Sequence, residues 1–377
     1  MNCWEVTTKR GFLMAENPVN CVSSVLNGEL KIAVEAIENI ANSLPHHIDN
    51  ETTREVCHNL PVLKVYSLGT LELAHRERLH QIYAYLTNAY LWAPGEVPVN
   101  SLPAQLAVPF VQLSDLVNRP PTLSYTNTQL CNWQVIDPAK PLDDAENLKT
   151  LQTFQNYPDE EWFWVIHIAI EAAGGAAVMA GKDAVMAAKV GDVDRLTKGL
   201  RIITDGLSKI IALAKRIEEG CDPDIYFKTL RPFLFNKEEG LIFEGVKRYE
   251  GKPQKFYGQT GAQSSLIPAL CEVLGIKHQK SDLTLYLDNV RQYMPKPHRN
   301  FLSSLGANSV RTLAAATPTL KNKYNDCARL ILEFRRFHLQ LAAKYIATKV
   351  KNEKGSGGTE FMKWLKLMTL ETEQQLL

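Results

Sequence analysis

An all-α fold is what this sequence predicts, with a small N-terminal helical domain, residues 1–110, packed on a large C-terminal helical domain, residues 111–377. Three observations lead there. Apolar side chains recur at helical spacing along most of the chain. Alternating strand-like runs are scarce, and LIFEGV at 241–246 is the main one. The 377 residues exceed the roughly 150 of an average domain, and a Pro-rich stretch divides them.

Helical periodicity covers residues 30–43 and 71–92 in the N-terminal part. Pro94, Pro98, Pro103, Pro109, Pro120 and Pro121 then rule out one continuous helix, so this stretch reads as the link. The second part opens near Leu123 with a loop, TNTQLCNWQVIDPAKP. Further helical patterns follow at 160–188, 191–219, 223–234, 262–275, 281–293 and 324–349. Residues 162–181, WFWVIHIAIEAAGGAAVMAG, are long enough for a membrane span. Glu171 at the centre and His167 one turn earlier make a buried core helix the better reading.

The charge balance, 42 Lys plus Arg against 41 Asp plus Glu, argues against a nucleic-acid partner. Seven scattered cysteines without a C-x-x-C pair fit neither a disulfide scaffold nor a zinc ribbon. They suit a reducing cytoplasm. The N-terminus lacks the apolar core of a secretion signal.

Two of the nine histidines lie on apolar helices. His338 shares one face with Phe334, Leu341 and Tyr345, and Arg335 precedes it by three residues. Spacing leaves two readings, a hydrogen-bonded core histidine or a single axial haem ligand. Phe163 and His167, at i and i+4, either line a pocket or pack in a core. In DIYFKTLRPFLFN, Arg231 follows Tyr226 and Phe227 by one turn. An arginine among aromatics suits the carboxylate of an apolar ligand, or covers apolar surface with its stem. GQTGAQSS at 258–265 is a small-residue segment able to lie flat against a ligand. KGSGGTEF at 354–361, a Gly-rich loop before a helix, is not a P-loop, since its lysine precedes the glycines; it reads as a connection or a lid.

Taken in order, these segments resemble the indoleamine 2,3-dioxygenase family over nearly the whole chain. The resemblance rests on NWQVIDPAKPLDDAENL, LRPFL after an aromatic pair, EGLIFEGV, TGAQSS, RQYMPKPHRNFL, FHLQLAAKYI and KGSGGTEFMKWLK. It implies an all-α haem b protein that inserts both atoms of O2 across the indole C2–C3 bond of L-tryptophan or a related indoleamine. The product implied is N-formylkynurenine, on the kynurenine pathway of tryptophan catabolism, with a reductant keeping the iron ferrous. The alternative reading is a haem-binding family member with a different role, either rearrangement of a substituted tryptophan in biosynthesis or a haem sensor or carrier.

Residue by residue, the resemblance makes His338 the axial haem ligand and sets Arg335 and Ser264 on the cofactor side. Arg231 matches the arginine that takes the substrate carboxylate, with Tyr226 and Phe227 beside it. Phe163 matches the aromatic that packs on the indole, and Tyr125 a pocket tyrosine. Thr260 and Gly261 match small residues near the distal haem face. Gly355, Ser356, Gly357, Gly358 and Thr359 match the mobile loop, about 351–359, that closes near the substrate. Two positions depart from the pattern. His167 stands where some members carry serine; a histidine there resembles the related tryptophan 2,3-dioxygenases, in which it can hydrogen-bond the indole N–H. Cys271, followed by Glu272, stands where some members carry an acid near the axial histidine.

Overall fold

The computed structural model describes residues 3–63, 68–306, 309–349 and 360–377. Its elements are almost all helical. The N-terminal part holds α1 (Gly28–Asn42), α2 (Leu44–Asp49), α3 (Thr53–His58) and α4 (Leu73–Leu91). Helix α5 (Ala104–Val117) lies within the Pro-rich stretch. Pro103 sits at its N-cap, Pro109 is inside it, and Asn118 closes it in the left-handed conformation. The stretch is therefore broken by prolines as expected, but it contains a buried helix between the breaks.

Residues 158–189 form α6 (Pro158–Ala173) and α7 (Gly175–Lys189), with Gly174 at the joint. The long periodic run is two helices, not one. Together they are long and apolar enough to cross a membrane, and 72% of their most apolar window is buried inside the fold. After α8 (Val193–Lys215) and α9 (Ile217–Gly220) comes a short α10 (Pro223–Ile225). The chain then widens into a π-helical turn, Tyr226–Leu230, and tightens into a 3-10 turn, Arg231–Leu234. Pro232 is the physical reason why the expected helix over 223–234 does not form: it has no N–H to donate backwards. A second π-helical turn, Thr126–Leu130, replaces the expected loop. There Asn127 Oδ1 takes the Ser124 hydroxyl at 2.8 Å, and Thr128 donates to the Ser124 carbonyl at 3.2 Å. Such local bonds compete with the regular helical ladder.

Helices α11 (Leu266–Leu274), α12 (Asp282–Val290), α13 (Lys296–Leu305), α14 (Ser309–Ala316), α15 (Pro318–Tyr345) and α16 (Phe361–Glu373) complete the chain. Of these, α13 and α14 lack a long apolar repeat and are not expected from periodicity, whereas α16 is the helix expected after the Gly-rich segment. Strand structure is limited, among the described residues, to two pairs. β1 (Ser101–Leu102) runs parallel to β4 (Ile242–Phe243), and β2 (Gln134–Val135) runs antiparallel to β3 (Leu148–Lys149). LIFEGV thus supplies one short strand.

Helix α5 crosses residue 110, and one apolar core runs from Cys3 through Tyr345. The division into a small and a large domain stays a proposal about folding units. Helix α8 packs on α7 and α15. An N-terminal strap, Thr7 bridged to Gly11, lies directly on Gly175 at the start of α7.

Candidate active site

Helix α6 aligns Phe163, His167 and Glu171 at successive turns on one face. The His167 Nδ1–H donates to the Phe163 carbonyl at 2.7 Å. Burial holds the imidazole below its usual pKa, so it is neutral at neutral pH. A carbonyl only accepts, so the proton is fixed on Nδ1 and Nε2 keeps its lone pair. The Phe163 ring lies 4.6 Å from His167 and 4.9 Å from Tyr226. Tyr125 meets His167 edge-on at 6.5 Å.

The π-helical turn at 226–230 sets Tyr226 inward and delivers Arg231 just beyond it. The Arg231 guanidinium lies over Phe227 at 5.1 Å and over Phe235 at 4.5 Å. These rings stand four residues before and after it, and the second was not picked out from the sequence. Arg231 is 7% exposed, and burial lowers its pKa. A carboxylate docking there would relieve that cost and gain a two-pronged ion pair.

On α15 the predicted stripe holds. Phe334 lies near-parallel to His338 at 6.2 Å, and Tyr345 packs on Tyr226 at 5.7 Å. That stripe joins α15 to the α6 face through Tyr226. His338 is exposed by accessible area, yet surrounding protein pushes its pKa down to about 4, with His167 adding to the effect. Both observations hold if the imidazole lines a deep, open cleft. It makes no hydrogen bond among the described residues, so it is not the satisfied core histidine that spacing alone also allowed. A neutral, unpartnered imidazole in a cleft fits an axial metal ligand. Gly261 adds to the fit, since a methyl group there would meet nothing within 4 Å. No cluster of three or more metal-binding side chains exists among the described residues, which suits one axial ligand better than a multidentate site.

The segment carrying Thr260 and Gly261 is tied to Tyr125 by Gln263. Its Oε1 accepts the Tyr125 N–H at 2.9 Å and its Nε2 donates to the Gly258 carbonyl at 3.0 Å. Ser264 donates to Glu171 Oε1 at 2.5 Å. Arg335 turns to the C-terminal helix: it donates to the Met368 carbonyl at 2.9 Å, to Thr372 Oγ1, and to Cys271 Sγ at 3.4 Å. Of the two residues at the departing acidic position, Cys271 meets Arg335, while Glu272 pairs with Arg291 at 3.0 Å. Ser356, Gly357 and Thr359, with Gly355 and Gly358, lie outside the described residues.

Ring contacts link Phe163, His167, Tyr125 and Tyr226, and Arg231 lies over Phe227 next to Tyr226. Tyr345 joins α15, which carries His338, to Tyr226, and Gln263 and Ser264 tie the 260–264 segment to Tyr125 and Glu171. Glu171 and Gln263 touch these residues through Ser264 and Tyr125, and the sequence reading does not single them out as site residues. The signal for Glu171 was present in its i+4 spacing from His167. A groove of about 440 Å³ between Trp4, Lys182 and Phe301 shares no residue with this constellation.

Comparison with known proteins shows the family. A family model described as indoleamine 2,3-dioxygenase matches residues 1–375. The chain is 34% identical to indoleamine 2,3-dioxygenase 1 of Rattus norvegicus, over 90% of this chain and 88% of the relative. It is 30% identical to indoleamine 2,3-dioxygenase of Saccharomyces cerevisiae, covering 82% and 73% respectively. A 6-hydroxytryptophan 2,3-dioxygenase of Fusarium equiseti is 29% identical, with 91% of each chain covered. The chain belongs to the indoleamine 2,3-dioxygenase family and is an oxidoreductase, a haem dioxygenase that acts on indoles.

Proposed function

We propose that the enzyme inserts O2 across the indole C2–C3 bond of L-tryptophan to give N-formylkynurenine, in the kynurenine pathway. The observation that carries this reading is Arg231 held between Phe227 and Phe235, at the Phe163 end of the α6 face. A cationic fork beside a run of aromatic rings suits an amino acid with a large flat side chain. Arg231 takes the carboxylate, and Tyr226 and Phe163 flank the ring. Nε2 of His167 accepts the indole N–H. His338 would hold haem b by its iron, with Ser264, Thr260 and Gly261 on the other side of the cleft. Bound haem supplies the iron that activates O2. Arg335 serves the cofactor side through Nε, a buried nitrogen with no hydrogen-bond partner among the described residues. Tyr125 closes the pocket against water, and residues 355–359 act as its lid. An external reductant keeps the iron ferrous. The enzyme works in the cytoplasm, where its seven free cysteines stay reduced, with neither a membrane nor a nucleic acid as partner.

The test is anaerobic reduction of the haem-loaded protein, addition of L-tryptophan and air, and absorbance of N-formylkynurenine. Product formation is expected, and Arg231→Leu should raise KM roughly ten- to hundredfold, as loss of a charge-assisted pair predicts. An unchanged KM would remove Arg231 from the site. A second reading, a hydroxylated tryptophan as the physiological substrate, is favoured by the Fusarium equiseti relative and its name. Competition between L-tryptophan and 6-hydroxytryptophan in the same assay separates the two.

A further inference from the structure

Glu171 is 1% exposed and lies one turn beyond His167 on α6. Its Oε1 accepts the Ser264 hydroxyl at 2.5 Å. The Tyr125 hydroxyl lies beside the same carboxyl and steadies its charged form. Oε2 is buried and has no hydrogen-bond partner among the described residues. Ser264 is only half-buried, and its Oγ also accepts the Leu266 N–H at 3.2 Å.

We propose that Glu171 is a positioning residue for the dioxygenase reaction, one that sets whether Ser264 donates or accepts a hydrogen bond toward the cleft. The inference rests on the function proposed above. It follows from counting protons. An ionised carboxylate only accepts, so it holds the Ser264 proton on Oε1, and that hydroxyl has none left to offer. A neutral carboxyl carries a proton of its own. Ser264 Oγ, 2.5 Å from Oε1, can take that proton, which reverses the bond to Ser264. Ser264 Oγ then accepts, and its own proton turns outward to an oxygen acceptor in the cleft.

The two states are close in free energy. Burial of an oxygen without a partner disfavours the charge, and the hydroxyls of Ser264 and Tyr125 favour it. The balance raises the carboxyl to about 7. The groups that face it are Tyr125 beside the 126–130 turn, Ser264 after the 261–263 turn, and His167 on its own helix. No charged side chain from α7 or α8 weighs on it among the described residues, and the N-terminal strap meets only its backbone carbonyl, at Gly11. His338 bears on His167 rather than on Glu171.

Infrared spectroscopy of the haem-free protein tests the inference without turnover. A carboxylic-acid carbonyl band should titrate near pH 7 in the wild type and be absent in Glu171→Gln. Ser264→Ala and Tyr125→Phe, each removing a hydroxyl that favours the charge, should move that titration to higher pH. In the loaded enzyme, kcat/KM should change across the same pH range, and Glu171→Gln should abolish that change. The wild-type fold should also lose stability as pH rises from 4.5 through about 7, because the folded chain holds this proton more tightly than the unfolded one. A band that titrates in the ordinary carboxylate range, or a pH profile kept in Glu171→Gln, overturns the proposal. If L-tryptophan is not turned over, the proposed function fails, while the infrared titration and its response to Ser264→Ala still decide the role of Glu171.

Discussion

His167 shows how much of the proposed chemistry is set by one backbone contact. Its Nδ1–H is committed to the Phe163 carbonyl, so the imidazole faces the cleft as an acceptor. That makes it an orienting group for an indole N–H, and a poor proton donor. His167→Ser should therefore slow L-tryptophan by roughly two- to tenfold in kcat/KM, the worth of one neutral hydrogen bond. 1-Methyl-tryptophan, which has no N–H, should respond far less. The ratio of the two substrates in wild type and variant measures this directly, and an unmoved ratio means that the contact is not made. The pairing of Phe163 with His167 is legible in the sequence because i,i+4 neighbours share a helical face. What spacing does not reveal is the tautomer, which depends on where a carbonyl falls. Nor does it reveal that Arg335 faces α16, since 37 residues separate it from Thr372.

At the scale of elements, the two π-helical turns do the positioning. One leads out of Tyr125 and the other carries Tyr226 and Phe227, so each introduces pocket residues where the helical repeat is broken. Periodicity locates α1, α4, α6, α8 and α15 because each buries a continuous apolar stripe. It runs out at 223–234, where Pro232 overrides the pattern, and at α13, which is short and largely polar. The joint of α6 and α7 is as demanding as any helix face. A side chain at Gly175 would meet the Gly11 nitrogen and the Thr8 carbonyl at 2.6 Å and the Thr7 carbonyl at 2.8 Å. These are backbone atoms and have little room to move. Gly175→Ala should cost about 1–3 kcal/mol, read as a lower midpoint of chemical unfolding. Gly261→Ala, where the added methyl meets only open space, should leave that midpoint unchanged. It should weaken haem uptake if a flat group lies against that loop. Equal unfolding midpoints for wild type and Gly175→Ala would mean that the strap is not seated on α7.

Over the whole molecule, the N-terminal strap binds together parts of the chain that helical pattern alone leaves unconnected. Trp4 donates its indole N–H to Glu77 on α4 at 2.8 Å, and Glu77 takes both prongs of Arg119, which follows α5. Both charged side chains are 1% exposed. The charge balance of the sequence hides this pair, because a near-zero total does not say which charges leave water. A buried pair of this kind adds little net stability over apolar residues of the same shape, but removing one partner strands the other. Arg119→Met should therefore cost about 3–5 kcal/mol, and the quenching environment of Trp4 should change with it. Glu77→Gln added to Arg119→Met removes the stranded charge and should recover a large part of the loss. Additive losses in the double variant would show that the two side chains act separately. Recovery would show instead that the strap is held by mutual neutralisation, which fixes the frame on which α6 presents Phe163, His167 and Glu171.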